Sequence, residues 1–286
     1  LALEARLRCA MAVALSHGGY NPSDEAVEAL EQAAALCREP QEKFCRAYAL
    51  VILGVLRANR GEASQLELLL TEERSKIEPL ASGPAWYQLL LGMLKFIQGD
   101  PLQGRESFQA AIKSAGDAGT LAVRDFAEMA MGLYLVRAGD YREAAQLLRA
   151  VRNRLLQSPF VDMRRLLGAT GFLGRALAED GEHADALAMM REAVSLAKKI
   201  GTVGVFIDSF VFVAALAGRH EDAARLAGWA DATFKNSGMS SRVLRPLRNR
   251  VGLMLQDKLP APELERLIAE GAQLTEEDAC RIAASE

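Results

Sequence analysis

The sequence predicts an all-α fold, a right-handed superhelical array of antiparallel helix hairpins that ends in a C-terminal helical cap. Three observations lead to this prediction. Alanine and leucine are abundant whereas β-branched residues are sparse, and this composition favours helices over sheets. A turn glycine recurs at intervals of 38, 40, 42 and 37 residues. Each turn separates two segments of helical periodicity, which is typical of a repeat protein.

The turn glycine is followed by a polar residue in all five repeats. These steps are Gly61-Glu62, Gly99-Asp100, Gly139-Asp140, Gly181-Glu182 and Gly218-Arg219. A second glycine stands seven residues before the first four turns, at Gly54, Gly92, Gly132 and Gly174. Glycine inside a helix costs about 1 kcal/mol relative to alanine, so four in one register need a shared cause. We predict that they mark points where the two helices of a hairpin cross closely.

The spacing of small and large residues resembles the tetratricopeptide repeat. That repeat has five characteristic positions in order: a small residue, a turn residue, a second small residue, a large apolar residue and a third small residue. In the third hairpin these are Gly92, Gly99, Gly104, Phe108 and Ala111. In the fourth they are Gly132, Gly139, Ala144, Leu148 and Val151, and in the fifth Gly174, Gly181, Ala186, Met190 and Ala193. The resemblance covers about residues 41–238, and an earlier hairpin within residues 2–38 fits it less closely. It implies a TPR-like α-solenoid of about six hairpins over residues 1–238 and a cap over residues 239–286.

Local sequence signals predict where the second helix begins in two of the hairpins. Asp100-Pro101 is predicted to be an N-cap followed by proline at the first helical position, and Asp140 with Glu143 to form a capping box.

Three further helices are predicted after the repeats, at about residues 240–258, 261–270 and 275–284, the first with a dent at Pro246. The tail reads Ala269-Glu270-Gly271 and then Leu274-Thr275-Glu276-Glu277-Asp278-Ala279. This ending is similar to that of bacterial transcriptional regulators and signal-transduction ATPases that carry repeat domains. Leu1 lies inside a helical pattern without an initiator Met, so we expect a longer polypeptide whose output domain precedes this region.

Motifs for catalysis, metal binding or nucleotide binding are absent from the sequence. It contains no GxxxxGK[ST] loop, no GxSxG and no HExxH. The four cysteines have no CxxC spacing, and the three histidines have no partner at ligand spacing. We therefore predict no enzyme, no cofactor and no metal site, and we expect reduced thiols in a cytoplasmic protein.

Charge and hydropathy exclude two classes of partner. A formal net charge of −3 gives no field that would gather nucleic acid or acidic membranes. The longest nearly apolar run has 15 residues, too few to span a bilayer.

The resemblance also implies which side chains line a concave groove, because the first helix of each hairpin faces it. The groove candidates are Tyr48, Trp86, Leu89, Met93, Phe96, Phe126, Met129, Leu133, Gly168, Gly171, Arg175, Asp208 and Phe212. So apolar a groove should not stay in water. An amphipathic partner helix, an apolar ligand, a second subunit in a homodimer or the C-terminal helices would cover it. The alternative is a tighter superhelix in which these residues are ordinary core.

The predicted function is a non-catalytic interaction and sensor domain of a bacterial regulator. It would bind a protein segment, an effector or a regulatory domain of the same polypeptide on the concave face. The second hypothesis is a small-molecule receptor with its ligand near Arg175 and Asp208, two residues that would otherwise pair with each other. The basic stretch of Arg242, Arg245, Arg248 and Arg250 is interpreted as a solvated helix face in preference to a docking site for an acidic partner or a neighbouring domain.

Overall fold

A computed structural model of the chain describes residues 24–37, 42–78, 82–159, 161–237 and 245–285, together with positions 3, 4, 7, 10 and 11. All regular secondary structure within these residues is helical. The prediction of an all-α fold is therefore confirmed, while the superhelical course of the array stays a prediction.

From position 24 onward the described residues form fifteen helices. These are α1 (Asp24–Leu36), α2 (Lys43–Arg60), α3 (Ala63–Glu72), α4 (Arg74–Ile77), α5 (Gly83–Ile97), α6 (Pro101–Asp117), α7 (Leu121–Ala138), α8 (Tyr141–Gln157), α9 (Met163–Glu179), α10 (His183–Ile200), α11 (Val203–Leu216), α12 (His220–Ser237), α13 (Arg245–Lys258), α14 (Ala261–Gly271) and α15 (Glu276–Ala284).

The chain divides into two compact units, Leu1–Tyr134 and Leu135–Glu286, called unit 1 and unit 2 below. The division falls inside α7, so unit 2 contains the end of that helix and α8 to α15. The three C-terminal helices thus belong to the same unit as the hairpins that follow α7. The predicted boundary between array and cap, at residues 238 and 239, lies outside the described residues.

Hairpin packing follows the predicted register inside each unit. In unit 1, α5 packs against α6, and in unit 2, α9 packs against α10 and α11 against α12. The first helices of successive hairpins also contact each other, α2 with α5 in unit 1 and α9 with α11 in unit 2. These first helices carry the predicted groove residues.

The five predicted turn glycines all adopt a left-handed backbone. Their φ angles are 71° at Gly61, 85° at Gly99, 92° at Gly139, 88° at Gly181 and 83° at Gly218. At the first of these turns the Gly61 N–H donates to the carbonyl of Ala58, and the Glu62 N–H donates to that of Arg57. Such a backbone suits glycine and closes the helix on its last carbonyls, so the prediction of these turns is confirmed.

The glycines of the second register permit close crossings, as predicted, in two hairpins. A Cβ at Gly92 would lie 3.1 Å from both the carbonyl oxygen of Gly104 and the ring of Phe108 in the partner helix. A Cβ at Gly174 would lie 3.2 Å from Cβ of Met189 in its partner helix. Gly54 differs, because it faces Leu90 of the next hairpin and not its own second helix.

One of the two predicted helix caps forms. The Asp100 carboxylate accepts a hydrogen bond of 3.1 Å from the Gln103 N–H, and Pro101 opens α6. The prediction for Asp140 is wrong, because it occupies the N-cap position of α8 but its side chain makes no capping hydrogen bond. The Asp140 N–H donates instead to the carbonyl of Leu135. The donor that a capping box would satisfy is therefore already bonded.

The three C-terminal helices are confirmed as α13, α14 and α15, although residues 240–244 of the first prediction lie outside the described residues. Pro246 is the second residue of α13, so it falls in the first helical turn. α13 packs on α11 and α12, α14 packs on α12, and α15 packs on α10, α11 and α12. A helix from the C-terminal part of the chain thus covers α11, which carries Asp208 and Phe212.

Candidate functional site

The thirteen predicted groove residues differ in exposure. The buried ones are Leu89, Met93, Met129, Gly168, Gly171, Arg175, Asp208 and Phe212. The half-buried ones are Trp86, Phe96, Phe126 and Leu133, and the exposed one is Tyr48. For the eight buried residues the core alternative is favoured. All five accessible ones belong to unit 1.

An aromatic pair in unit 1 joins equivalent positions of two successive hairpins. Trp86 lies in the first turn of α5, where its backbone N–H donates to the carbonyl of Ser82. Phe126 lies near the start of α7. Their ring centroids are 5.6 Å apart in a tilted arrangement. Trp86 also packs on a small core cluster of Ala85, Ala115 and Val123. One side of the pair is thus held by the core while both rings keep an accessible part.

Phe96 takes a different role from the one expected of a groove residue. Its ring lies 5.8 Å from that of Phe108 and 5.0 Å from that of Tyr134. Gly104 leaves the space for it, because a Cβ at that position would overlap the Phe96 ring. Phe96 therefore fills the interface between helices in its own unit.

Asp208 of unit 2 does not form a salt bridge with Arg175. Its two carboxylate oxygens instead accept hydrogen bonds from Arg248 of α13, from Nε at 2.7 Å and from Nη2 at 3.1 Å. Arg248 also donates to Asp231 at 3.0 Å and lies 4.2 Å from the centre of the Phe234 ring. Burial raises the pKa of Asp208, while the hydrogen bonds from Arg248 oppose that rise.

A second arginine of α13 binds the end of α9. Arg250 donates to both carboxylate oxygens of Glu179, at 2.6 and 2.9 Å, and this hydrogen bonding raises the pKa of Arg250. Its guanidinium group lies 5.1 Å from the centre of the Phe212 ring. The interpretation of the basic stretch as a solvated helix face is therefore wrong for the half-buried Arg248, while Arg250 is exposed and still binds Glu179. Both arginines hold α13 against the hairpins of unit 2. Arg242 lies outside the described residues.

Arg175, one turn before the end of α9, is nine-tenths buried with an exposed fraction of 9%. Its Nε is buried and has no hydrogen-bond partner among the described residues. The guanidinium group lies 5.8 Å from the centre of the Phe212 ring, the ring that Arg250 also approaches. Burial, and next the positive charge of Arg137, lower the pKa of Arg175 to about 10. The group thus stays charged at neutral pH although it is removed from water.

A cavity of about 180 Å³ lies beside the Asp208–Arg248 pair in unit 2, where α11, α12, α13 and α14 meet. Its walls are mainly aliphatic, with Val211, Ala230 and Leu264 among them. This volume is near that of cavities that hold a benzene-sized molecule and is below that of most drug-sized pockets.

The charged residues around Arg175 and Asp208 were not expected from the sequence to lie together; they are Arg137, Glu179, Arg248 and Arg250. One local signal was available, because Glu179 follows Arg175 by four residues and so shares its helix face. The pairs Arg248–Asp208 and Arg250–Glu179 join residues 40 and 71 positions apart, a separation that no helical period encodes.

The described residues contain no group of three or more His, Cys, Asp or Glu side chains placed to hold a metal ion. Cys45 and Cys280 are free cysteines, and Cys37 is buried. None of the helices in the described part of the chain is both long and apolar enough to cross a membrane. No protein-family model and no curated protein matches this sequence.

Proposed function

We propose that this chain is a non-catalytic interaction and sensor domain of a cytoplasmic bacterial regulator, and that it binds a protein segment through unit 1. The resemblance to tetratricopeptide repeats and to the C-terminal regions of such regulators supports the class. The observation that carries the binding role is the pair of Trp86 and Phe126, at the same repeat position of successive hairpins and half-buried in both cases.

Large aromatic side chains that are rigidly held and partly accessible are the usual anchors of protein interfaces. Trp86 is fixed by the small residues beneath it, so binding would cost little side-chain entropy. Tyr48, 45% exposed on α2, adds an accessible aromatic side chain at the same repeat position of the preceding hairpin. The fitting partner is a segment with apolar side chains on one face, such as an amphipathic helix.

The test is a selection of displayed peptides on the purified chain. Selected peptides should bind the double variant Trp86→Ser, Phe126→Ser about tenfold more weakly or worse, since hot-spot aromatic residues carry most of an interface's affinity. Leu102→Ser is the matched control, because Leu102 is 75% exposed on α6 and lies outside the predicted groove positions. Circular dichroism checks that both proteins keep their helices. Peptides that bind the double variant as tightly as the unmodified chain would refute docking at this pair.

The second candidate function is a small-molecule receptor in unit 2. The buried, unbonded Nε of Arg175 favours it, since a buried charged group without a partner is costly. Asp208 contributes less than the sequence analysis expected, because both of its oxygens are bound by Arg248.

A further inference from the structure

We propose that Arg175, with Arg137 and Arg250, forms a site in unit 2 for a small molecule that carries a carboxylate or phosphate group. This inference rests on the receptor function given above as the second candidate and names the chemistry of its ligand. It is independent of the peptide site in unit 1.

Arg175 has no anionic hydrogen-bond partner among the described residues. The carboxylates whose charge favours the protonated guanidinium are those of Glu179 and Asp208. Arg250 binds both oxygens of Glu179, and Arg248 binds both oxygens of Asp208. Each carboxylate thus forms a bidentate pair with another arginine, and the buried Nε of Arg175 is left without an acceptor.

Charged neighbours and burial both act on the guanidinium group of Arg175. Arg137 and Arg250 are both close enough for their positive charge to disfavour a proton on Arg175. Burial disfavours it as well, and yet the pKa of about 10 leaves the guanidinium charged at neutral pH. A desolvated cation whose neighbouring carboxylates are each bound by another arginine favours a further anion beside it.

The shape of a guanidinium group suits the recognition of a carboxylate or phosphate. A guanidinium group offers a planar fork of N–H donors that matches two oxygens of a carboxylate or phosphate. Phe212 is buried and supports two of these groups, with Arg175 and Arg250 at 5.8 and 5.1 Å from its ring centre. Arg137 is an exposed side chain whose charge acts on Arg175. Since Arg175 is only 9% exposed, the group that reaches it must be small.

The experiment titrates the purified chain with inorganic phosphate and with succinate at constant ionic strength. Choline and glucose serve as the cationic and neutral comparison compounds. Melting temperature is followed by calorimetry, and the arginine Nε–H signals by ¹⁵N NMR. At about 100 times its dissociation constant, the binding anion should raise the melting temperature by roughly 5–10 °C. It should also move the Nε–H signal that is missing from the spectrum of Arg175→Met.

Matched variants locate the effect. Arg175→Met keeps the length of the side chain without its charge, and it should weaken anion binding by about tenfold or more. Arg137→Gln changes an exposed side chain and should also weaken anion binding. It therefore tests the site even if Arg175→Met folds poorly. Arg149→Gln removes another exposed arginine of unit 2 and should bind like the unmodified chain.

Three results would overturn the inference. Equal responses to the anions in Arg175→Met and in the unmodified chain would place the anion elsewhere. A response to choline or glucose with none to either anion would leave the receptor function standing with a different ligand chemistry. No response to any of the four compounds would remove both the inference and the receptor function, while the peptide site in unit 1 would be unaffected.

Discussion

At the scale of single residues, glycine is placed where two backbones come together. A Cβ on Gly271 of α14 would overlap the carbonyl oxygen of Arg225 in α12, and one on Gly228 of α12 would overlap that of Ile268 in α14. The two helices therefore meet backbone to backbone, with a glycine from each side of the crossing. Gly271 belongs to the Ala-Glu-Gly step of the C-terminal tail, which thus has a packing reason to contain glycine.

We predict that Gly271→Ala lowers the free energy of unfolding by roughly 1–3 kcal/mol, because the added methyl group forces α14 away from α12. Urea denaturation followed by circular dichroism measures the change. Gly252→Ala is the control, since nothing lies within 4 Å of a Cβ at this helical position of α13. That substitution should stabilise the protein by up to about 1 kcal/mol. Equal effects of the two changes would contradict a backbone crossing at Gly271.

Arg175 gives a second prediction at this scale, made for the protein without ligand. Exchanging a desolvated, poorly compensated cation for an apolar side chain of similar length is commonly stabilising. We expect Arg175→Met to raise the free energy of unfolding by about 1–2 kcal/mol in buffer that contains no multivalent anion. The urea midpoint measures it, and a loss of stability would show that the guanidinium is compensated within the folded chain.

At the scale of elements, α13 is a C-terminal helix that packs on α11, and coverage by the C-terminal helices is one of the alternatives that the sequence leaves open. Val251 and Leu255 are its buried apolar residues, while Arg248 and Arg250 reach acidic side chains on α9, α11 and α12. A short apolar face and two arginines, each with more than one hydrogen bond, thus hold α13 against the other helices of unit 2. Its packing on α11 accounts for part of the burial of Asp208, one of the predicted groove residues.

We predict that Arg248→Gln lowers the free energy of unfolding by about 3 kcal/mol, because the buried carboxylate of Asp208 loses both hydrogen bonds. Amide hydrogen exchange should rise along α11 as α13 loosens. Arg266→Gln is the control, since its partners Glu263 and Glu270 are exposed and such pairs contribute at most about 1 kcal/mol. Unchanged exchange along α11 in Arg248→Gln would argue against this ion pair as the attachment of α13.

At the scale of the whole molecule, the predictable features were local ones. The turn at Gly139 and the helix predicted at about residues 261–270 follow from signals a few residues apart, and both were found where expected. The difference between groove and core was not predictable, because Met129 and Trp86 repeat with the same helical period although only Met129 is buried. The pairs Arg248–Asp208 and Arg250–Glu179 were missed because they join helices that are distant in sequence.

The two compact units give the last prediction. The chain has two tryptophans, Trp86 in unit 1 and Trp229 in unit 2, so Trp229→Phe and Trp86→Phe leave one fluorescent reporter in each unit. A chain with more than one compact unit can unfold in more than one step. In urea titrations, Gly271→Ala should therefore shift the transition reported by Trp229 further than the one reported by Trp86. Equal shifts would mean that both units unfold as one cooperative body.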